Sequence, residues 1–249
     1  MSRSPHPDPL TVDAALVAAV RHALAEVADP ARAPAMQAYM KSSMPFYGVP
    51  SPTQRQVFRR VFDEHLLPDR ETFEATACAL WDDATHREER YGAIALTRHR
   101  AYRSFQDPTL VPLYEHYVVT GAWWDLVDPV ASRSLGPLLR AFRSEVGPVM
   151  LLWASDDDLW RRRTSIIVQL GSKDATDTNL LSACIEPSLG RPEFFLRKAI
   201  GWALREYAKT DPDWVRDYVA RHRDDLAPLS IREALRNLAG PKGPAKASR

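Results

Sequence analysis

Two adjacent tryptophans and two aspartates occur within the six residues from Trp123 to Asp128. The apolar spacing around them predicts a helix over residues 123–134, on which residues four apart share a face, so Trp124 lies above Asp128. An aromatic ring attracts a cation, and a carboxylate stabilises positive charge that develops beside it. The run therefore indicates a site for a cation. The alternative is that both tryptophans pack in the core and the aspartate caps its helix or is solvated.

The composition limits the class of protein. A chain of 249 residues with 45% hydrophobic content can bury a large core, as one domain or as an array of small units. The net charge of +1 gives no overall signal for a nucleic acid, membrane or acidic partner. Cys78 and Cys184 lack metal or disulfide spacing, and the seven histidines show no ligand pattern. We expect no metal and no cofactor.

The two ends of the chain carry no predicted function. The first nine residues are polar and rich in proline, without the apolar stretch of a secretory signal. No apolar run approaches the roughly 20 residues that span a membrane. The sequence therefore predicts a soluble, cytoplasmic protein without membrane partners. Residues 240–249 are small, basic and interrupted by proline and glycine, which predicts a disordered tail.

Apolar residues recur at a spacing of three to four rather than alternating, and this pattern predicts an all-α fold. Breaks are expected at proline and glycine positions, among them Gly136 and Pro148. The predicted helices are 11–28, 33–42, 53–65, 70–83, 88–102, 109–119, 123–134, 137–146, 157–170, 177–187, 193–208, 212–223 and 228–238.

Three helical segments share a pattern of a basic residue, small residues and then an apolar position. They begin at Arg90, Arg163 and Lys198, which are 73 and 35 positions apart, so the period is about 36 residues. Asp128 falls near the intervening position. Equivalent positions of stacked helical pairs line one concave surface, so these four side chains are expected to project into one groove. The alternative is a globular bundle of independent helices.

Basic residues are concentrated in the stretches 87–103, 161–163 and 191–209 despite the neutral total. If they converge on one face, they form a track for a phosphate backbone, with salt-dependent affinity. Any single cluster is more often a solvated helix face. Gly201 precedes Trp202 inside a predicted helix, where glycine costs about 1 kcal/mol relative to alanine. We expect it to mark close approach to another backbone or to a ligand.

Several runs in the chain resemble one known family. These are Met36–Lys41, Phe46–Val49 followed by Pro52 and Arg55, Trp123–Asp128, Arg163–Ile166, Lys198–Lys209 and Leu226–Ser230. Over about residues 36–238 the chain is similar to the AlkD-like bacterial DNA alkylation repair glycosylases, which are built from HEAT-like helical repeats. The resemblance implies a HEAT-like solenoid with a concave basic groove over residues 31–239. Residues 1–30 then form an extension with the first helix.

The resemblance also implies roles for single residues. Asp128 is the catalytic carboxylate, Trp124 and Trp202 frame the lesion nucleoside, and Arg163 holds the DNA backbone. Tyr39 lies near the same cleft. The residues expected to contact DNA are Tyr39, Lys41, Arg90, Arg162, Lys198, Arg205 and Lys209.

The function implied is that of a monofunctional DNA glycosylase. It would act as a monomer on duplex DNA, in the cytoplasm at the nucleoid, and release positively charged N3- or N7-alkylpurines. Two alternatives stay open on the sequence: a non-catalytic helical-repeat protein that binds DNA structures, and a HEAT-type scaffold that grips a partner protein.

Overall fold

The computed structural model describes residues 11–238, and every regular element in that range is helical. The predicted all-α fold is therefore confirmed. The disordered tail predicted for residues 240–249 lies outside the described residues, as do residues 1–10. The described residues divide into two compact units, residues 11–130 and 131–238.

The first unit contains seven α-helices, and short 3₁₀ segments precede the sixth. Their bounds are α1 Ala14–Glu26, α2 Ala33–Met40, α3 Ser51–Glu64, α4 Arg70–Asp82, α5 Arg87–Thr97, α6 Val111–Gly121 and α7 Trp124–Val130. The first helix belongs to this unit, since Leu16, Val20 and Leu24 are fully buried. An Asp13 carboxylate oxygen caps its N-terminus by accepting from the Leu16 amide at 2.8 Å.

The second unit begins with a π-helical turn and contains seven further α-helices. Their bounds are α8 Gly136–Ala141, α9 Arg143–Ala154, α10 Leu159–Ile167, α11 Thr178–Ile185, α12 Phe194–Tyr207, α13 Pro212–Arg221 and α14 Pro228–Leu235. Its core is built from the apolar faces of α10 to α14, including Ile167, Leu196, Leu204 and Val215.

The helix break predicted at Pro148 is wrong. The chain was expected to break at Pro148, but this proline lies inside α9, and the break falls at Phe142 instead (φ −131°, ψ 57°). Proline removes one backbone hydrogen bond of the helix. The helix nevertheless persists, because Met150 and Trp153 beyond the proline are buried in the core.

Ion pairs recur at a separation close to the predicted repeat period. Arg70 and Asp107 are 37 residues apart, Asp63 and Arg100 are 37 apart, and Lys198 and Glu233 are 35 apart. The two residues of each ion pair lie on segments that are separated along the chain by one unit of two helices. This spacing agrees with a repeat of about 36 residues.

Gly201 marks a close approach, as its position inside a helix predicted. A Cβ atom added there would lie 2.6 Å from Cβ of Glu233 and 3.0 Å from the Ser230 carbonyl oxygen. The α12 and α14 helices are in contact at this point, so a larger residue would force them apart.

We expect Gly201→Ala to lower the free energy of unfolding of the second unit by about 1–3 kcal/mol, because overpacking outweighs the gain in helix propensity. Gly147→Ala in α9 is the matched control. Apart from its chain neighbours and its own helix backbone, its added Cβ would meet no atom within 4 Å, and because Pro148 follows it we expect a change of less than about 1 kcal/mol. Urea unfolding of both variants checks the contrast, and equal midpoints would contradict the packing argument.

Candidate functional site

The candidate catalytic residues of the first unit lie on α7. Trp124 is its first residue and Asp128 follows one turn later, and both side chains are partly buried. The Tyr39 ring of α2 meets the Trp124 ring edge-on, with centroids 6.4 Å apart and planes at 87°. Tyr39 is 72% exposed. The structure thus places Tyr39 beside Trp124, where an exposed aromatic edge can contact a ligand.

Two backbone turns set the positions of these rings. Lys41 ends α2 and Ala122 ends α6, and both adopt the left-handed conformation, with φ of 50° and 40°. This conformation is uncommon for residues other than glycine, and it costs on the order of 1–2 kcal/mol for each residue that adopts it. The Ala122 turn lets α7 start within two residues of α6, with Trp124 at its first position.

A buried charge cluster anchors the start of α7. The Asp125 carboxylate accepts hydrogen bonds from Arg87 Nε at 2.8 Å and Nη2 at 2.6 Å, and from the Tyr91 hydroxyl at 2.5 Å. The Arg87 and Asp125 side chains are only 8% and 5% exposed. Because Asp125 lies between Trp124 and Asp128, this cluster fixes the rotation of α7 against α5.

The charge states of the cluster follow from burial and pairing. Burial lowers the pKa of the Arg87 guanidinium, but the hydrogen bonds and charge of Asp125 outweigh it and raise that pKa overall. Burial and the Asp125 charge raise the pKa of Tyr91. Arg87 therefore stays cationic and Tyr91 stays a neutral donor, as the two bonds to the carboxylate require.

Sequence reasoning missed the residues of α5 that hold the loop before α3. The fully buried Glu88 carboxylate accepts backbone amides of Tyr47, Gly48 and Val49 at 2.9–3.1 Å. The Arg87 amide donates to the Pro45 carbonyl at 2.9 Å. One helical turn thus holds both this loop and α7. The signal was available as four consecutive charged residues, Arg87 to Arg90, at the start of a predicted helix, where burial of a charge requires a partner.

In the second unit, Arg163 and Trp202 lie on α10 and α12. Arg163 is 3% exposed, and its Nη1 donates to the Phe195 carbonyl at 2.7 Å, at the start of α12. Trp202 is partly buried and packs against the core cluster of this unit. Arg163 thus joins α10 to the helix that holds Trp202. Its predicted contact with the DNA backbone stays a prediction.

The cations predicted on α12 and just beyond it are paired with carboxylates. Lys198 Nζ lies 2.9 Å from Glu233 of α14, and Arg205 bonds the other oxygen of the same carboxylate. Lys209 is exposed and pairs with Glu206 at 2.6 Å. Two cations share Glu233, so this part of the predicted basic cluster keeps a single net positive charge.

Arg162 requires a correction. It was expected to contact DNA, but it is 8% exposed and its guanidinium is bound by backbone carbonyls. These acceptors are the carbonyls of Ala154, Ser155, Asp156 and Pro187. The arginine joins the loop before α10 to the 3₁₀ turn after α11, so its role is structural.

Arg90 is also held within the first unit. Its guanidinium lies 4.8 Å from the Trp81 ring centroid, and Nη1 donates to the Thr120 carbonyl at 3.3 Å. Burial and the neighbouring Arg87 charge lower its pKa. Lys41, by contrast, is exposed at the end of α2, close in sequence to Tyr39.

Within residues 11–238, no group of three or more His, Cys, Asp or Glu side chains is placed to hold a metal ion. Cys78 and Cys184 are buried thiols, and burial raises the pKa of each to about 12. No helix among the described residues has the length and apolarity to cross a membrane. On α7, the Asp128 carboxylate lies one turn from the Trp124 ring.

The helical pairs and their period define a helical-repeat protein, and α7 carries an acid and an aromatic residue one turn apart. Residues 20–238 match the family model described as DNA alkylation repair enzyme, and the chain belongs to that family. Its role lies in the repair of alkylated DNA, and DNA is its substrate.

A solved structure supports this assignment. It is described as a predicted DNA alkylation repair enzyme from Enterococcus faecalis, and it is 31% identical to this chain with a TM-score of 0.78. The match covers 86% of this chain and 98% of the other. No curated protein matches the chain significantly.

Proposed function

We propose that this protein is a monofunctional DNA glycosylase that releases N3- or N7-alkylated purines from duplex DNA and works as a monomer. The observation that carries the proposal is the face of α7, where Trp124 and Asp128 lie one turn apart and Tyr39 borders the tryptophan. A carboxylate beside an exposed aromatic edge suits a substrate that is cationic before and during bond cleavage.

The reaction is a hydrolysis in which the alkylated base is the leaving group. Alkylation at N3 or N7 gives the purine a positive charge. When the bond between C1′ and the base nitrogen breaks, its electron pair stays on the base, which leaves neutral. Positive charge then develops on the deoxyribose, and water adds to C1′ and loses a proton. The products are free base, an abasic site and that proton.

In this proposal Asp128 stabilises the sugar cation and orients the attacking water, as the carboxylates of glycosidases do. Because the base already carries positive charge, no strong general acid is required. The aromatic rings of Trp124 and Trp202 favour the cationic nucleoside over a neutral one by roughly 0.5–2 kcal/mol each. Selectivity then arises from charge rather than from a tight pocket.

The role of Arg163 in this proposal is to hold the DNA backbone near the lesion, as the family resemblance implies. Its hydrogen bond to Phe195 also fixes the start of α12, the helix of Trp202. Changing Arg163 therefore affects both the backbone contact and the placement of the tryptophan.

A base-release assay tests the proposal directly. The purified full chain is incubated with a duplex that carries one 7-methylguanine, and free base is measured by liquid chromatography with mass spectrometry. We expect release of 7-methylguanine and strand cleavage only after alkali, because a hydrolytic enzyme leaves an intact abasic strand. An unmodified duplex and one with a neutral lesion are the controls and should release no base.

The other outcomes identify the alternatives. Salt-sensitive binding of the alkylated duplex without release would indicate a non-catalytic DNA binder and contradict the glycosylase. Negligible affinity for DNA at low salt would indicate a protein-interaction scaffold. Strand cleavage without alkali would contradict a monofunctional hydrolysis.

A further inference from the structure

The first unit contains a basic pocket that none of the candidate site residues lines. It lies between α3 and the end of α5 and has a volume of about 480 Å³. Its charged and titratable lining residues are Arg55, Arg59, Asp63, Arg98, His99 and Arg100. Four arginines face one aspartate, so the pocket has a net charge of +3 with neutral histidine.

The single carboxylate that lines the pocket, Asp63, already contacts Arg100 and His99. Asp63 lies 2.8 Å from Arg100 Nη2 and 3.2 Å from His99 Nε2. The hydrogen bond from Arg100 lowers the pKa of Asp63, so this carboxylate is ionised and its negative charge is paired with Arg100. It does not neutralise the arginines of α3.

Arg55 and Arg59 lie one turn apart on the same face of α3, and both are exposed. Within residues 11–238, neither has a carboxylate within ion-pair distance. Two like charges at this spacing repel each other and weaken a helix. The arrangement therefore costs stability in the free protein, and an anion bound between the two guanidinium groups would relieve it.

The wall beneath these arginines is apolar and buried. The Phe58 and Phe62 rings line the pocket and stack with centroids 5.9 Å apart, and the His99 ring meets Phe62 edge-on at the same distance. Both phenylalanines are at most 4% exposed. Gly92 of α5 lets the helices approach, because a Cβ there would lie 3.1 Å from the Phe58 ring.

We propose that this pocket binds backbone phosphate of duplex DNA, so that α3 and the end of α5 form a grip on the duplex apart from α7. The proposal rests on the proposed function only in taking DNA as the ligand. A planar guanidinium group can donate two parallel hydrogen bonds to the oxygens of a phosphate. Arg55 and Arg59 present two guanidinium groups on one face of α3. The buried phenylalanine pair packs α3 against α5 and so fixes the position of the helix that carries both arginines.

The test compares two double variants that remove the same charge from the same unit. Arg55→Gln with Arg59→Gln changes the pocket. Arg60→Gln with Arg103→Gln removes two exposed arginines that do not line it. Thermal unfolding of both proteins verifies that they fold. Fluorescence anisotropy then gives the Kd for an undamaged duplex between 50 and 300 mM NaCl.

For the pocket variant we expect the Kd to rise about tenfold and the slope of log K against log salt to fall by about 1.8, the value for two lost phosphate contacts. The control variant should keep both values within about a factor of two of wild type. Equal effects of the two double variants would overturn the proposal, because they would show that only total charge matters.

Inorganic phosphate and deoxyadenosine monophosphate distinguish DNA from a free phosphorylated ligand. The proposal fails if two results occur together. The first is that millimolar concentrations of either compound raise the Tm of wild type but not of the pocket variant. The second is that the pocket variant binds DNA as tightly as wild type, which would show that the pocket serves a small molecule. A failed base-release assay with the expected loss of DNA affinity would instead reject the glycosylase and support the pocket.

Discussion

Replacing Asp128 with asparagine is expected to lower the single-turnover rate of 7-methylguanine release by about 100- to 10,000-fold. Asparagine has nearly the same shape, so the packing of α7 is retained. It lacks the negative charge that stabilises the sugar cation, and it cannot accept a proton from the attacking water. The loss should therefore appear in the chemical step and not in binding.

The measurement is base release with protein in excess over a duplex carrying one 7-methylguanine. DNA affinity is measured in parallel and should stay equal to wild type or become slightly tighter, because one negative charge is removed near the polyanion. Asp217→Asn on α13 removes one exposed carboxylate and is the matched control. An Asp128→Asn protein that releases base within about threefold of the wild-type rate would contradict the proposed mechanism.

Helix positions were the most predictable part of the fold, because the apolar period of a helix is local information. The main error, at Pro148, arose where tertiary packing outweighed a local rule. The tight contact at Gly201 was also predictable, since an isolated glycine in a helix has a cost that packing must offset. The identity of its neighbour, Glu233, was not, because α14 is contributed by a later repeat.

The charges were the least predictable part. The sequence shows Arg87, Lys198 and Arg205 as members of basic stretches, but each pairs with an acid on another helix. Their partners lie 28 to 38 residues further along the chain, so a count within one stretch misses them. An acid about one repeat period after a base is the signal that identifies most of these pairs in advance.

The pairing of Arg87 also changes how the candidate site is understood. Trp124 and Asp128 could be named from their residue types and spacing, but Asp125 between them was counted only as a second acid. In the structure it points to α5 and is used for positioning. Of the two aspartates in this run, Asp125 holds the helix against α5, and Asp128 is the one to which the proposed function assigns the chemistry.

Removing this anchor is expected to have the largest effect on stability. Asp125→Ala leaves the Arg87 cation buried without its partner carboxylate, and breaking a buried pair in this way costs about 3–5 kcal/mol. Asp63→Ala is the matched control, because it removes an aspartate paired with an arginine that is 73% exposed. That pair should contribute at most about 1 kcal/mol. Urea unfolding monitored by tryptophan fluorescence measures both.

A second variant separates the lost pair from a general failure to fold. Combining Arg87→Met with Asp125→Leu replaces the charges by apolar side chains of similar size, and such exchanges are often neutral or stabilising. We therefore expect the double variant to be more stable than Asp125→Ala. If α7 owes its position to this contact, base release should fall in Asp125→Ala and recover in the double variant. DNA affinity should be the same in wild type and in both variants. A double variant as unstable as Asp125→Ala would show that shape at this position, and not charge pairing, holds the catalytic helix.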